Sequence, residues 1–247
     1  MPKPTILLVQ GSFQTPHVYS SFTTSLQNQG YDTIHPALPS CTDVEDADFP
    51  TRTLSDDALV VRHALEELVE KEFKTVLVVM HSYGGIVGSE AIPESLNFTQ
   101  RQKEGKQGGV VHLFYFAAFA LGVGESVLGK FGESPNNLVL PDGRFRILNG
   151  AKTLYNDLPE SEAELWESRL IPQSYAVQTT AVTRTAYEYI PSTYLICEND
   201  AAAPAQFQEM FAAMVKAQVR RCSAGHSPML SQTGMLVDEV VRVAESC

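Results

Sequence analysis

Val78-Val79-Met80-His81-Ser82-Tyr83-Gly84-Gly85 is the stretch whose reading decides the fold. The apolar, β-rich run Lys74–Met80 predicts a buried strand, and Tyr83 to Ala91 predicts a helix that begins at once. A strand that turns sharply into a helix pushes the side chain at the turn out over the end of the sheet. The same turn aims the free amides of the helix N-terminus at whatever sits there. A serine in that place can be a nucleophile, provided a base takes its proton and donors meet the anion that forms. Ser82 is therefore the candidate nucleophile, and the amide of Tyr83, the next residue, is one candidate oxyanion donor.

Outward from this turn, short β-rich runs alternate with amphipathic helical stretches, the pattern of an α/β fold. A mostly parallel central sheet with helices on both faces is expected. Strands are predicted at Thr5–Val9, Tyr31–His35, Lys74–Met80, Val110–Phe116, Thr193–Cys197 and Gln218–Cys222. Helices are predicted over Pro16 to Gln29, ended by Gly30, over Thr53 to Glu72, capped by Thr53 or Ser55, and over Gly234 to Glu245. Between 120 and 190 the alternation breaks. Leu138 to Ile147 reads as a hairpin around Asp142-Gly143, and Pro159–Leu170 and Gln173–Tyr189 read as helices. This segment has little apolar material for a core of its own. It is expected to be a lid, 120–190, inserted in an α/β core made of 1–119 and 191–247.

The base belongs on a loop after a late strand. Gly225-His226-Ser227-Pro228 follows Gln218–Cys222, which makes His226 the candidate. The carboxylate that orients it is expected in Glu198-Asn199-Asp200, after Thr193–Cys197. Asp200 lies out in the turn and is preferred to Glu198, with Glu125 in reserve. The second oxyanion donor is expected from Gln10-Gly11-Ser12-Phe13, at the amide of Ser12. Phe13, His81 and Trp166 are candidates to contact substrate. His17 and His35 sit near early loops, His63 is expected on a solvated helix face, and His112 inside a strand.

Composition narrows the classes of partner. The chain of 247 residues carries 18 Lys+Arg against 29 Asp+Glu, a formal charge of -11, which argues against nucleic acid or an anionic membrane. No apolar stretch approaches the roughly 18 residues of a membrane span. Thr5–Val9 is closed by Gln10 and Gly11 with no cleavage signature, so it reads as a strand and not a signal peptide. Cys41, Cys197, Cys222 and Cys247 form no CxxC pair and no metal-finger spacing. A reduced, cytoplasmic monomer or homodimer is expected, with no metal, no cofactor and a small-molecule substrate.

Four stretches together resemble the α/β-hydrolases across essentially the whole chain: Leu8 to Phe13, His81 to Gly85, Cys197 to Phe207 and Gly225 to Ser231. Within them the chain is similar to the small single-lid group of plant methylesterases, hydroxynitrile lyases and related microbial esterases. Gln10 stands where that group usually has histidine, and Met80 where the elbow usually has its leading glycine. Both departures are expected to change the pocket floor and to leave the catalytic groups in place. Hydroxynitrile lyases carry lysine after the catalytic histidine; Ser227 occupies that position here, which disfavours cyanohydrin cleavage. The resemblance implies hydrolysis of an ester or lactone of an apolar or aromatic small molecule. Phe131, Leu138, Tyr155, Trp166 and Tyr175 are available in the lid. Carbon–carbon cleavage, cyclisation or condensation by the same triad is one alternative; a ligand-binding receptor is another.

Overall fold

A computed structural model of the protein describes residues 3–247. Six strands form one sheet: β1 (Thr5–Val9), β2 (Thr33–Ile34), β3 (Thr75–His81), β4 (Gly109–Phe116), and, after the inserted strands described below, β8 (Ser192–Cys197) and β9 (Gln218–Cys222). Their order is β2-β1-β3-β4-β8-β9, and every neighbouring pair is parallel. Parallel strands need crossover helices, so both faces of the sheet are covered and both must be apolar. Side chains of β1 and β3 divide accordingly. Leu7, Val9, Val76, Val78 and Met80 join one core cluster, while Ile6, Leu8, Leu77 and Val79 join the other.

On the second face lie α1 (Ser20–Asn28), through Phe22 and Leu26, and the C-terminal helix Thr233–Ser246, through Leu236, Val237, Val240 and Val243. The first face carries α2 (Leu54–Glu66), α3 (Gly84–Ala91) and helix Ala205–Met214. Thr53 caps α2, its amide donating to Asp56 Oδ2 at 2.7 Å. The sheet winds outward in two directions from the boundary between β1 and β3. Loops leaving the carboxyl ends of strands at such a switch point diverge and leave a crevice. The turns after β1 and β3 hold Gly11 and Ser82.

The insertion between β4 and β8 holds its own antiparallel sheet, β5 (Asn137–Val139), β6 (Arg144–Ile147) and β7 (Gln173–Ser174). β5 and β6 are the hairpin around Asp142-Gly143, with Gly143 at φ 85°. Helix α4 (Glu160–Glu167) follows. Phe145, Val177, Val182, Ala186 and Tyr187 of the insertion pack into the first core cluster.

Three elements differ from expectation. Gln173–Tyr189 is not one helix but strand β7, a turn at Ala176–Thr179 and a 3-10 turn at Ala186–Glu188. This run is rich in threonine, and the buried carboxylate of Glu90 takes the amides of Thr183 and Arg184 at 2.8 and 2.9 Å, giving the backbone partners that a helix would otherwise supply. β2 shrinks from Tyr31–His35 to two residues, since it pairs only with Ile6 and Leu7 at the sheet edge and Pro36 follows at once. Pro16–Tyr19 is a separate 3-10 turn before α1.

Candidate active site

Ser82 is held at φ 52°, a left-handed conformation that costs a serine about 1 kcal/mol and persists only where its surroundings impose it. The surroundings here are backbone. The Ser82 carbonyl accepts from the amides of Gly85 and Phe119, both at 3.0 Å. α3 starts so close to β1 that a Cβ on Gly84 would lie 2.3 Å from the Val9 carbonyl oxygen. Met80 does not line the pocket floor, which corrects that expectation. It is fully buried in the first core cluster, and its sulfur lies where a Cβ on Gly88 would come within 2.4 Å. The small residue that sequence reasoning sought at 80 is found one helical turn into α3.

The structure brings Ser82, His226 and Asp200 together. Ser82 Oγ is 3.1 Å from His226 Nε2, and His226 Nδ1 is 2.8 Å from Asp200 Oδ2. Asp200 is buried, and its carboxylate is fully engaged: Oδ1 accepts from the amides of Ala202 and Ala203 at 2.8 Å each, and Oδ2 also accepts from Gln208 Nε2 at 3.1 Å. Gln208, fully buried on helix Ala205–Met214, also receives the Cys197 amide on its Oε1. Sequence reasoning did not single it out, because a glutamine on a helix gives no signal until the helix is placed behind the acid loop. Glu198 instead faces Arg221, and Glu125 pairs with Lys130.

Gly11 abuts the nucleophile; a Cβ there would lie 2.9 Å from Ser82 Cβ. Its amide donates to the Tyr19 hydroxyl at 2.9 Å. Among the described residues the amides of Ser12 and Tyr83 donate to no protein acceptor, so both are available at the crevice. Phe13, at φ 65°, packs edge-on against Phe145 with centroids 4.9 Å apart and gives its carbonyl to the amide of Ile171. The turn after β1 is thus clasped by the insertion.

His81 lies behind the line of Ser82, His226 and Asp200, not in the crevice. It is 1 % exposed and stacks on Phe116, with Nδ1 2.7 Å from the Tyr19 hydroxyl and Nε2 2.8 Å from the His226 carbonyl. Burial, and then repulsion from His226, drive its pKa well below the usual value, so it is neutral. Trp166 is half-buried, stacked near His17 with Arg169 over its ring, at the seam between insertion and core. His35 and His112 are both lowered to about 4 by burial, and His112 bonds Thr193 Oγ1. His63 is exposed on α2.

A buried polar cluster adjoins the elbow. Asp57, fully enclosed, accepts from the Ser40 amide at 2.9 Å, the Ser40 hydroxyl at 2.6 Å and the Tyr83 hydroxyl at 2.8 Å. Burial outweighs these donors and raises it to about 6. On sequence it reads as a first-turn aspartate of α2, and only the packing of α2 against the elbow gives it Tyr83. A cleft of about 640 Å³ opens nearby between Thr15, Pro16, the loop Cys41 to Asp46 and Ile171; it stops short of Ser82. Among the described residues no group of His, Cys, Asp or Glu could hold a metal ion, and no helix is long and apolar enough to cross a membrane.

These features are those of one family, and comparison with known proteins agrees. The model of the alpha/beta hydrolase family matches residues 6–239. The chain belongs to that family. It is 31 % identical to the alpha/beta hydrolase nvfD of Aspergillus novofumigatus over 245 residues, covering 96 % of this chain and 95 % of the relative. Identity to the probable hydrolase R7 of a Phoma species is 30 %, covering 99 % of each. Among solved structures, polyneuridine aldehyde esterase superposes with a TM-score of 0.75 at 16 % identity, covering 98 % of this chain and 99 % of that one. The protein is therefore a hydrolase by family, and its relatives carry hydrolase names.

Proposed function

We propose that the protein is a serine hydrolase that cleaves an ester or lactone of an apolar or aromatic small molecule. The observation that carries the reading is the continuous line from Ser82 Oγ through His226 to Asp200, at 3.1 and 2.8 Å. His226 Nε2 takes the Ser82 proton as Oγ attacks the carbonyl, and the amides of Ser12 and Tyr83 receive the oxyanion. His226 then protonates the leaving alcohol, which departs and leaves an acyl-Ser82. Water, deprotonated by the same histidine, attacks the acyl carbonyl, and the proton returns to Ser82 as the acid is released. Asp200 holds the tautomer with its proton on Nδ1 and stabilises the imidazolium. Base, orienting carboxylate and oxyanion donors all come from the chain, so this route uses no metal and no cofactor.

Aromatic side chains flank the nucleophile on two sides and support an apolar substrate. Phe13 packs on Phe145, which packs on Tyr175; Phe119, whose amide holds the Ser82 carbonyl, packs on Phe131 and Phe211. Ser82 is 7 % exposed, so on this reading the insertion is a lid that yields to admit substrate. The test is Ser82→Ala in turnover of p-nitrophenyl butyrate, together with location of the adduct formed by a fluorophosphonate probe. Loss of turnover by at least about 10⁴-fold, with the adduct on Ser82 in the parent protein, is expected. Undiminished turnover in the variant would refute the nucleophile. A probe adduct on Ser82 with no hydrolysis across a panel of esters and lactones would refute the substrate class.

A further inference from the structure

Tyr155, Asn156 and Asp157 form one turn of the insertion, and their three consecutive side chains reach three different loops around Ser82. Asp157 Oδ2 accepts the amide of Gly225 at 2.6 Å, one residue before His226. Asn156 Nδ2 donates to the carbonyl of Asn199 at 2.8 Å, one residue before Asp200. The fully buried Tyr155 meets the side-chain amide of Gln14, in the oxyanion turn, at 3.2 Å. The fit around Gly225 is close. A Cβ there would lie 2.6 Å from Asp157 Oδ1 and 2.7 Å from Asn156 Oδ1, so a side chain at 225 would have to push aside the very groups that hold the histidine loop.

The contact made by Tyr155 continues to His226. Gln14 meets the Tyr19 hydroxyl at 2.9 Å, Tyr19 meets His81 Nδ1 at 2.7 Å, and His81 Nε2 meets the His226 carbonyl at 2.8 Å. Proton counting gives this chain a direction. A carbonyl can only accept, so His81 Nε2 carries the ring proton, and the neutral ring leaves Nδ1 as acceptor. The single Tyr19 proton then lies between two acceptors, His81 Nδ1 and Gln14 Oε1, while the Tyr19 oxygen accepts from the Gly11 amide. Gln14 Nε2 in turn donates to the Tyr155 hydroxyl oxygen. The chain ends in the insertion on the Tyr155 oxygen, as an acceptor.

We infer that the turn Tyr155-Asn156-Asp157 is a positioning element of the active site, which sets His226 against Ser82 and Asp200 from the insertion side. The inference rests on the nucleophile reading of Ser82. It makes the seat of the insertion and the geometry of the triad one variable: displacing the turn releases the Gly225 amide and the Tyr155 end of the chain to His226 together. The three contacts are unequal. Asp157 and Tyr155 act on buried partners, whereas the Asn156–Asn199 bond is exposed.

The experiment compares Asp157→Ala, Asp157→Asn, Tyr155→Phe and Asn156→Ala in the full chain. It measures kcat and KM on p-nitrophenyl butyrate per folded molecule, the second-order rate of fluorophosphonate labelling, and thermal midpoint. Asp157→Ala is expected to lower kcat and the labelling rate together by about 10–100-fold, with KM within about threefold, since it orphans a buried amide next to the base. Asp157→Asn keeps an acceptor for Gly225 and is expected to recover most of that loss. Tyr155→Phe is expected to cost about fivefold in kcat and Asn156→Ala less than about twofold. A labelling rate that stays at the parent value in Asp157→Ala and Tyr155→Phe, with only the thermal midpoint lowered, would overturn the inference. So would a loss confined to KM. In either case labelling that still requires Ser82 leaves the nucleophile reading standing; labelling that persists in Ser82→Ala removes that reading itself.

Discussion

The two halves of the candidate triad are built by different means. On the nucleophile side, Ser82 is fixed almost entirely by backbone: a left-handed φ, carbonyl contacts to Gly85 and Phe119, and a helix start pressed against the end of β1. On the acid–base side, Asp200 and His226 sit on loops beyond β8 and β9, held by side chains from elsewhere, above all Gln208, His81 and Asp157. Backbone packing tolerates no atom more. Side-chain hydrogen bonds tolerate change in graded steps, each worth about 1 kcal/mol net and up to about 3 kcal/mol when a buried partner is orphaned. The elbow should therefore fail outright where the loops fail by degrees.

The largest difference is expected at Gly84→Ala. Its new methyl group would meet the Val9 and Gln10 carbonyl oxygens at 2.3 and 2.6 Å, backbone that cannot rotate away. A destabilisation of about 4 kcal/mol or more in urea unfolding is expected, with loss of fluorophosphonate labelling at Ser82. A variant as stable as the parent would show that the elbow has slack. Gln208→Ala tests the other half. It removes one donor to Asp200 and orphans the Cys197 amide, so a loss of about 2 kcal/mol in stability and about 10–100-fold in kcat is expected, with KM little changed. Unaltered kcat would mean that the Ala202 and Ala203 amides hold the acid by themselves.

A third effect, confined to a pH window, concerns Asp57, which links the elbow to α2 through the Tyr83 hydroxyl. Burial raises it to about 6 from an ordinary value of 3.8. Between these values the folded chain binds the proton and the unfolded chain releases it, so folding stability falls as pH rises through that window and stays lower above it. Asp57→Asn abolishes this one dependence. The stability of the variant relative to the parent should therefore grow from about pH 4 to about pH 6, by up to about 3 kcal/mol. A constant difference over that range, measured by urea unfolding at each pH, would show that Asp57 stays ionised in the fold.

Much of the fold was legible because its causes are local. Apolar runs of strand length, Gly30 closing α1, the Asp142-Gly143 turn and Thr53 before α2 each act within a few residues of themselves. Gln173–Tyr189 misled because the groups that satisfy its backbone lie on Glu90, far away in sequence. In the site, Ser82, Asp200 and His226 could be singled out by their places after β3, β8 and β9. Gln208, Asp57 and the turn Tyr155-Asn156-Asp157 could not, because an isolated glutamine, a first-turn aspartate and an insertion tyrosine look the same whether or not they touch a loop of the candidate site.

The sequence by itself determined which strands are buried on both faces, where strand turns to helix, and which serine, histidine and aspartate follow strand ends. Those properties depend on residue type and spacing along one stretch of chain. Tertiary structure alone decided what supports those three residues. It placed His81 against the His226 carbonyl, gave Met80 its room at Gly88, and set the insertion against the loop that carries His226. Such contacts join side chains dozens to more than a hundred residues apart, and their strength depends on burial and distance, which exist only once the sheet has brought the loops together.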